Sequence, residues 1–205
     1  MQNLIIERVA VGALEANCYL VADSRTKQGI VVDPGDDIGK IRKIMAAQDL
    51  QILAVCNTHG HFDHIRADHC FDAPVYIHRQ DEVMLRDASR NFSSMFPPVY
   101  RYDGTVIPLE DNQTLTIGPL SLRCIHTPGH SPGGMCFLIQ DILFSGDTLF
   151  YHTVGRTDIT FADHQALLTS LQEKILKLPA STKVYPGHGE QTSIGEELIH
   201  NPYTR

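Results

Sequence analysis

No apolar run in the 205-residue chain approaches the roughly 18 residues that a membrane-spanning helix needs. No run of Lys and Arg exceeds two residues and the formal net charge is −7, which disfavours a phosphate backbone as partner. The five cysteines (Cys18, Cys56, Cys70, Cys124 and Cys136) are odd in number and contain no CxxC pair. Neither a disulfide framework nor a zinc ribbon follows, and the apolar settings of most of them predict buried, reduced thiols in a reducing cytoplasm. The first residues, MQNLIIERVAVGALEANCYLV, lack the charged start, long apolar core and small-residue cleavage site of a signal peptide. Repeats, low-complexity stretches and linkers are absent too, so one domain over residues 1–205 is expected.

What is present is a series of strand-like runs. LIIERVAVG, CYLVAD and QGIVVD are apolar or β-branched and end in Gly or Asp, predicting three strands in a meander. DDIGKIRKIMAAQ, with early acids and apolar residues at helical spacing, predicts a helix. Four further runs each leave into a short loop with glycine and a possible metal ligand: ILAVC into NTHGH, LSLRCI into HTPGH, DILF into SGD, and TKVY into PGH. Loops at strand ends are held rigidly by a sheet and are common sites of function. Four such exits predict that distant loops converge on one point.

The segment THGHFDHIRADH packs four histidines and two aspartates into twelve residues, and histidine is the commonest metal ligand. In an extended loop His59 and His61 project the same way and can grip one ion. Asp63 and His64 follow where a helix would begin, displaced enough to serve a second ion about 3.5–4 Å away. His130, Asp147 and His188 from the other exits complete two sets, with Asp147 the natural bridge because a carboxylate has two oxygens. Asp68 and His69 are expected on the surface of the helix, and His78, His126, His152, His164 and His200 are expected to be structural or superficial, with a place near the pocket as the alternative for His152.

The order THGHFDH, TPGH, SGD, PGHG resembles the metallo-β-lactamase-fold superfamily. VVDPG at 31–35 and GHGEQTSIGEELIHNP at 187–202 look like its glyoxalase II-like hydrolases. The resemblance spans nearly the whole chain. It implies an α/β fold, a four-layer αβ/βα sandwich of two mixed β-sheets flanked by helices, with metals at one edge. It implies two divalent ions, zinc first with iron or manganese as alternatives. His59, His61 and His130 would hold one, and Asp63, His64 and His188 the other. Asp147 is shared, and Asp33 is a residue behind the ligands. It also implies a small-molecule substrate, a glutathione-type thioester such as S-lactoylglutathione. Because the chain ends seventeen residues after His188, the short type without a helical glutathione-binding domain is expected. Arg156, in HTVGRTD, matches a basic position that meets a substrate carboxylate, with an ion pair to Asp158 or Asp163 as its structural alternative. Asp158 stands where glyoxalase II has a tyrosine, and Arg66-Ala67 replaces a small, often glycine-containing pair.

The chemistry expected of such a centre follows from charge. Two dications outweigh Asp63, Asp147 and a bridging hydroxide, so a net positive centre can stabilise an oxyanion, and the shared water becomes available as hydroxide near neutral pH. Asp63 would orient that hydroxide or accept its proton. An alternative within the same fold is a persulfide dioxygenase, whose one iron would use His59, His130 and Asp147. Lactone hydrolysis is a third possibility. A closed structural zinc site needs only four ligands, fewer than this constellation offers. Residues 89–104, rich in aromatics and proline, predict a loop packed over its own domain, with a lid or subunit contact as the other possibility. Residues 162–178 predict an amphipathic core helix.

Overall fold

The structure is a computed structural model that describes residues 3–204. Six strands form the first sheet in chain order: β1 (Leu4–Val11), β2 (Ala16–Asp23), β3 (Gln28–Val32), β4 (Gln51–Cys56), β5 (Val75–His78) and β6 (Val106–Leu109). The first three pair antiparallel, as the meander predicts, and the rest are parallel. The second sheet contains β7 (Thr114–Ile117), β8 (Leu120–His126), β9 (Met135–Ile139) and β10 (Ile142–Gly146). A short ribbon of β11 (Leu149–Phe150) and β12 (Thr153–Val154) follows, and then β13 (Lys183–Pro186) and β14 (Thr192–Ser193) complete the sheet in the order β14-β13-β10-β9-β8-β7. β13 runs parallel to β10, and the other pairings are antiparallel.

Alternation along the strands builds the layers. In β2, Tyr19 and Val21 face the second sheet, where Leu122, Phe137 and Phe144 meet them. Cys18, Leu20 and Ala22 point the other way, against Ile41 of α1 (Ile38–Gln48), Ile65 of α2 (Phe62–Ile65) and Leu85 of α3 (Glu82–Arg86). Cys136, Leu143 and Val184 leave the second sheet's outer face towards Leu167 of α4 (His164–Ser170) and Ile194 of α5 (Ile194–His200). Both sheets are mixed and each carries helices outside, which is the expected four-layer sandwich. Among the described residues no helix is long and apolar enough to cross a membrane.

Residues 162–178 pack as predicted: α4 runs into a wider π-helical turn over Leu171–Ile175, so Leu167, Leu171 and Ile175 share one buried stripe. The helix expected after Phe62 is broken. It stops after one turn, and a 3₁₀ turn follows at Asp68–Cys70. Ala67 donates to the Pro34 carbonyl (2.8 Å) and leaves helical geometry, so surface periodicity no longer applies. His69 is exposed, but Asp68 is fully buried, accepting from Asn57 Nδ2 at 2.7 Å. The expectation that Asp68 lies on the surface is therefore corrected. Cys18, Cys56, Cys124 and Cys136 are buried, and burial pushes the Cys124 and Cys136 thiols up to about 12 and about 11. Loop 89–104 packs over its own fold through buried Asn91, Ser93, Tyr100 and Tyr102.

Candidate metal centre

The topology brings the four exits together. β8, β10 and β13 run in one direction, so their C-terminal ends share an edge, and the loop after β4 of the other sheet meets it where Met135 N–H donates to Thr58 O at 2.7 Å. The 186–189 loop is fixed from the other sheet: Asn17 Nδ2 donates to the Pro186 and Gly189 carbonyls, and the Tyr19 hydroxyl donates to Pro186 O at 2.7 Å. Gly187 passes so close that a Cβ would lie 2.2 Å from Asp147 Oδ1, so only glycine lets this backbone by.

Two groups of donors result that share no member, and Asp33, His59 and His64 form a third that overlaps both. The ligand atoms of His59, His61 and His130 lie within 4.8 Å of one another, and so do those of Asp63, His64 and His188. His61 Nδ1 is 2.9 Å from His130 Nε2, and His64 Nε2 is 3.2 Å from His188 Nε2. Asp147 stands between the groups: Oδ2 is 3.4 Å from His130 Nε2 and 3.8 Å from His188 Nε2, while Oδ1 is 3.5 Å from His64 Nε2. The structure thus gathers all seven residues singled out in the sequence.

The surroundings set each tautomer. Nδ1–H of His130 donates to Arg156 O (2.8 Å) and that of His188 to Leu14 O (3.1 Å). His64 Nδ1 donates to Asp33 Oδ2 at 3.0 Å. Thr58 gives its hydroxyl proton to the same Oδ2 at 2.6 Å and so accepts from His59 Nδ1 at 3.1 Å. Asp33 therefore orients one histidine of each group, and its other oxygen takes Thr58 N–H at 2.7 Å. The Nε2 atoms of His59, His64, His130 and His188 face inward, and these are the nitrogens through which imidazole binds metal once they carry no proton.

Two buried atoms at the centre, His59 Nε2 and Asp147 Oδ1, have no hydrogen-bond partner among the described residues. Buried polar atoms are rarely left so without a ligand or ion to satisfy them. Burial, aided by neighbouring imidazoles, holds His59 and His61 well below the usual histidine value, so they are neutral donors. Burial also opposes charge on His64, yet Asp63, Asp147 and Asp33 outweigh it and push that group up to about 10. His188 is raised in the same way by Asp63 and Asp147, against its own burial. Without cations the carboxylates thus draw protons onto the second group, which is the positive charge that a metal would replace. Mixed imidazole and carboxylate donors of this kind suit zinc, iron or manganese.

A family model described as the metallo-beta-lactamase superfamily matches residues 11–188. The chain belongs to the metallo-β-lactamase superfamily. Among curated superfamily relatives, the Bacillus subtilis (strain 168) protein named "Probable metallo-hydrolase YqgX" is 39% identical over 207 residues, covering 96% of this chain and 95% of that protein. The solved BLEG-1 B3 metallo-beta-lactamase superposes with a TM-score of 0.92 at 36% identity, over 98% of this chain and 99% of the other. TTHA1623, solved in a di-iron-bound form, gives 0.84 at 34% identity, over 96% and 99%.

Arg156 reaches the cavity over the centre, but its guanidinium is exposed and doubly bonded to Asp158 at 2.8 and 3.0 Å. That is the structural alternative named for it. His152 turns from the pocket to Glu196 (2.8 Å), and His78 stacks on His126 at 3.8 Å. Asp81 was missed. It sits at the start of α3, where its carboxylate could cap the helix, and instead accepts from Gly60 N (3.1 Å), Ser131 Oγ (2.6 Å) and Gly133 N (2.6 Å). It ties the His59–His61 loop to the His130 loop. The available signal was a fifth exit, VYIH into RQD.

Proposed function

We propose that the protein is a metal-dependent hydrolase of thioesters, S-lactoylglutathione being the reference substrate. His59, His61 and His130 would hold one divalent ion, Asp63, His64 and His188 a second, and Asp147 would serve both. The observation that carries this reading is the pair of inward-facing donor groups with one carboxylate between them, at the floor of a cavity of about 670 Å³. A cavity of that size suits a small molecule. When bound, two such ions acidify water towards neutral pH and offset negative charge developing on a carbonyl oxygen.

The chain's own residues supply the rest. Asp63 belongs to the second group and also borders the cavity, so its carboxylate is placed to orient an attacking water and take its proton. Asp33 keeps His59 and His64 from turning. Thioesters suit the cavity because a thiolate leaves without a proton donor, and apart from the proposed ligands no Lys, Tyr, Cys, His, Asp or Glu is among the described residues lining it. The one-iron dioxygenase reading would use only His59, His130 and Asp147, and would leave His61, Asp63, His64 and His188 converging for no purpose.

Metal analysis joined to two assays tests the reading. The expected result is about two metals per chain, loss of thioester absorbance with S-lactoylglutathione, and no oxygen uptake with glutathione persulfide. One iron per chain with oxygen uptake would overturn it. Asp147→Ala should lower the content of both ions and abolish turnover, and unchanged turnover would refute the ligand assignment.

A further inference from the structure

The cavity above the metal centre has walls of one chemical kind. Phe92, Met95 and Phe96 stand on one side, and Phe150, Val154 and Ile159 also line it. Apart from the proposed ligands, its polar lining consists of Thr153 and Arg156, and the Arg156 guanidinium is engaged by Asp158. Met95 and Phe96 are 64% and 49% exposed, an apolar surface of the sort that marks a ligand groove.

The Phe92–Phe96 wall is fixed in place. Phe96 stacks on Phe62 with ring centres 4.9 Å apart and planes 15° from parallel. Arg66 lies over the Phe62 ring at 4.7 Å and donates to the carbonyls of Phe96 and Pro98. Phe92 rests against His61 at 5.0 Å. Arg66, the residue that departs from the small pair of the resembling family, is the anchor of this wall.

We propose that this cleft receives an apolar acyl chain, so that the preferred substrates are thioesters of medium-length alkanoic or arylalkanoic acids rather than of lactate. This rests on the thioester reading above. A lactoyl group is a few heavy atoms with a hydroxyl, and would leave most of the cleft unfilled. The common biological thiols, glutathione and coenzyme A, are polar or charged beyond the sulfur. Of the two halves of a thioester, only the acyl half can be apolar along its length and match these walls.

The test uses the zinc-loaded protein and S-acyl glutathiones carrying lactoyl, acetyl, butyryl, hexanoyl and octanoyl groups. The expected result is a kcat/KM that rises about three- to fourfold per methylene, to about a hundredfold between acetyl and hexanoyl. Arg66→Ala and Phe96→Ser, checked for folding by circular dichroism and for metal content, should flatten that slope to less than about twofold per methylene. A flat or falling series with lactoyl still cleaved overturns the acyl-chain proposal and leaves thioester hydrolysis standing. Failure to cleave any member overturns both. An unchanged slope in the two variants overturns the role given to this wall.

Discussion

Removing the Asp81 carboxylate should loosen one half of the metal centre without touching a ligand. Asp81 is fully buried, and its three acceptor bonds join Gly60, Ser131 and Gly133 across 21, 50 and 52 residues of chain. Asp81→Ala would leave two backbone N–H groups and a hydroxyl without their acceptor. At about 1–3 kcal/mol for each buried orphan the loss is roughly 3–6 kcal/mol after some relaxation. Burial raises the Asp81 carboxyl above its ordinary value, so the ionised form already carries a desolvation cost, and the lower end of the range is expected. For a chain of this size that is a fall of about 6–12 °C in Tm. The sequence has no tryptophan, so circular dichroism is the appropriate probe. Asp81→Asn keeps one acceptor oxygen but turns an NH₂ towards at least one donor, and should fall between parent and alanine variant. Because His61 and His130 flank the joined loops, chelator competition should show one ion held at least about tenfold more weakly. An alanine variant that melts within about 2 °C of the parent and keeps both ions as tightly would refute the argument.

Asp33→Asn should weaken metal binding about 10–100-fold, measured by competition with a chromophoric chelator, because it disturbs the partners of His59 and His64 together. Gly187→Ala would place a Cβ 2.2 Å from Asp147 Oδ1 and 2.9 Å from His64 Cε1, and turnover should drop on the order of a hundredfold. Asp68→Asn tests a pH dependence. Burial raises the Asp68 carboxyl well above 3.8, so the folded state keeps a proton that the unfolded chain releases, and stability falls as pH rises from that value through the folded one. Urea unfolding of the metal-free protein at pH 5 and pH 8 should therefore show a smaller decline in the variant than in the parent, and equal declines would contradict the assignment.

The strands and the seven gathered side chains were legible because their signals are local. Alternation in CYLVAD or LSLRCI follows from a two-residue period, and each exit carries its glycine and ligand within a few positions. Residues whose partners lie far along the chain left no such trace. Asp81 is a lone carboxylate after a strand until its three distant donors are in view. A continuous helix would place Asp68 on the surface, and the break at Ala67 turns it inward. Arg66 was visible only as a departure from a pattern, since its aromatic and carbonyl partners sit in a loop without periodicity. For Arg156 the local sequence allows both a substrate contact and an ion pair, and the short reach to Asp158 forms the pair.

His59, His61, Asp63 and His64 follow the last residue of one sheet's strand, whereas His130, Asp147 and His188 come from the other sheet. Each proposed ion would thus be gripped from both halves of the sandwich, like a rivet through two plates. Occupancy would then tighten the seam by an amount set by how far metal concentration exceeds its dissociation constant, about 4 kcal/mol at a thousandfold excess. Stripping the cations would do more than silence a catalyst: it would unfasten the plates, and resistance to proteolysis would track metal supply as closely as turnover does.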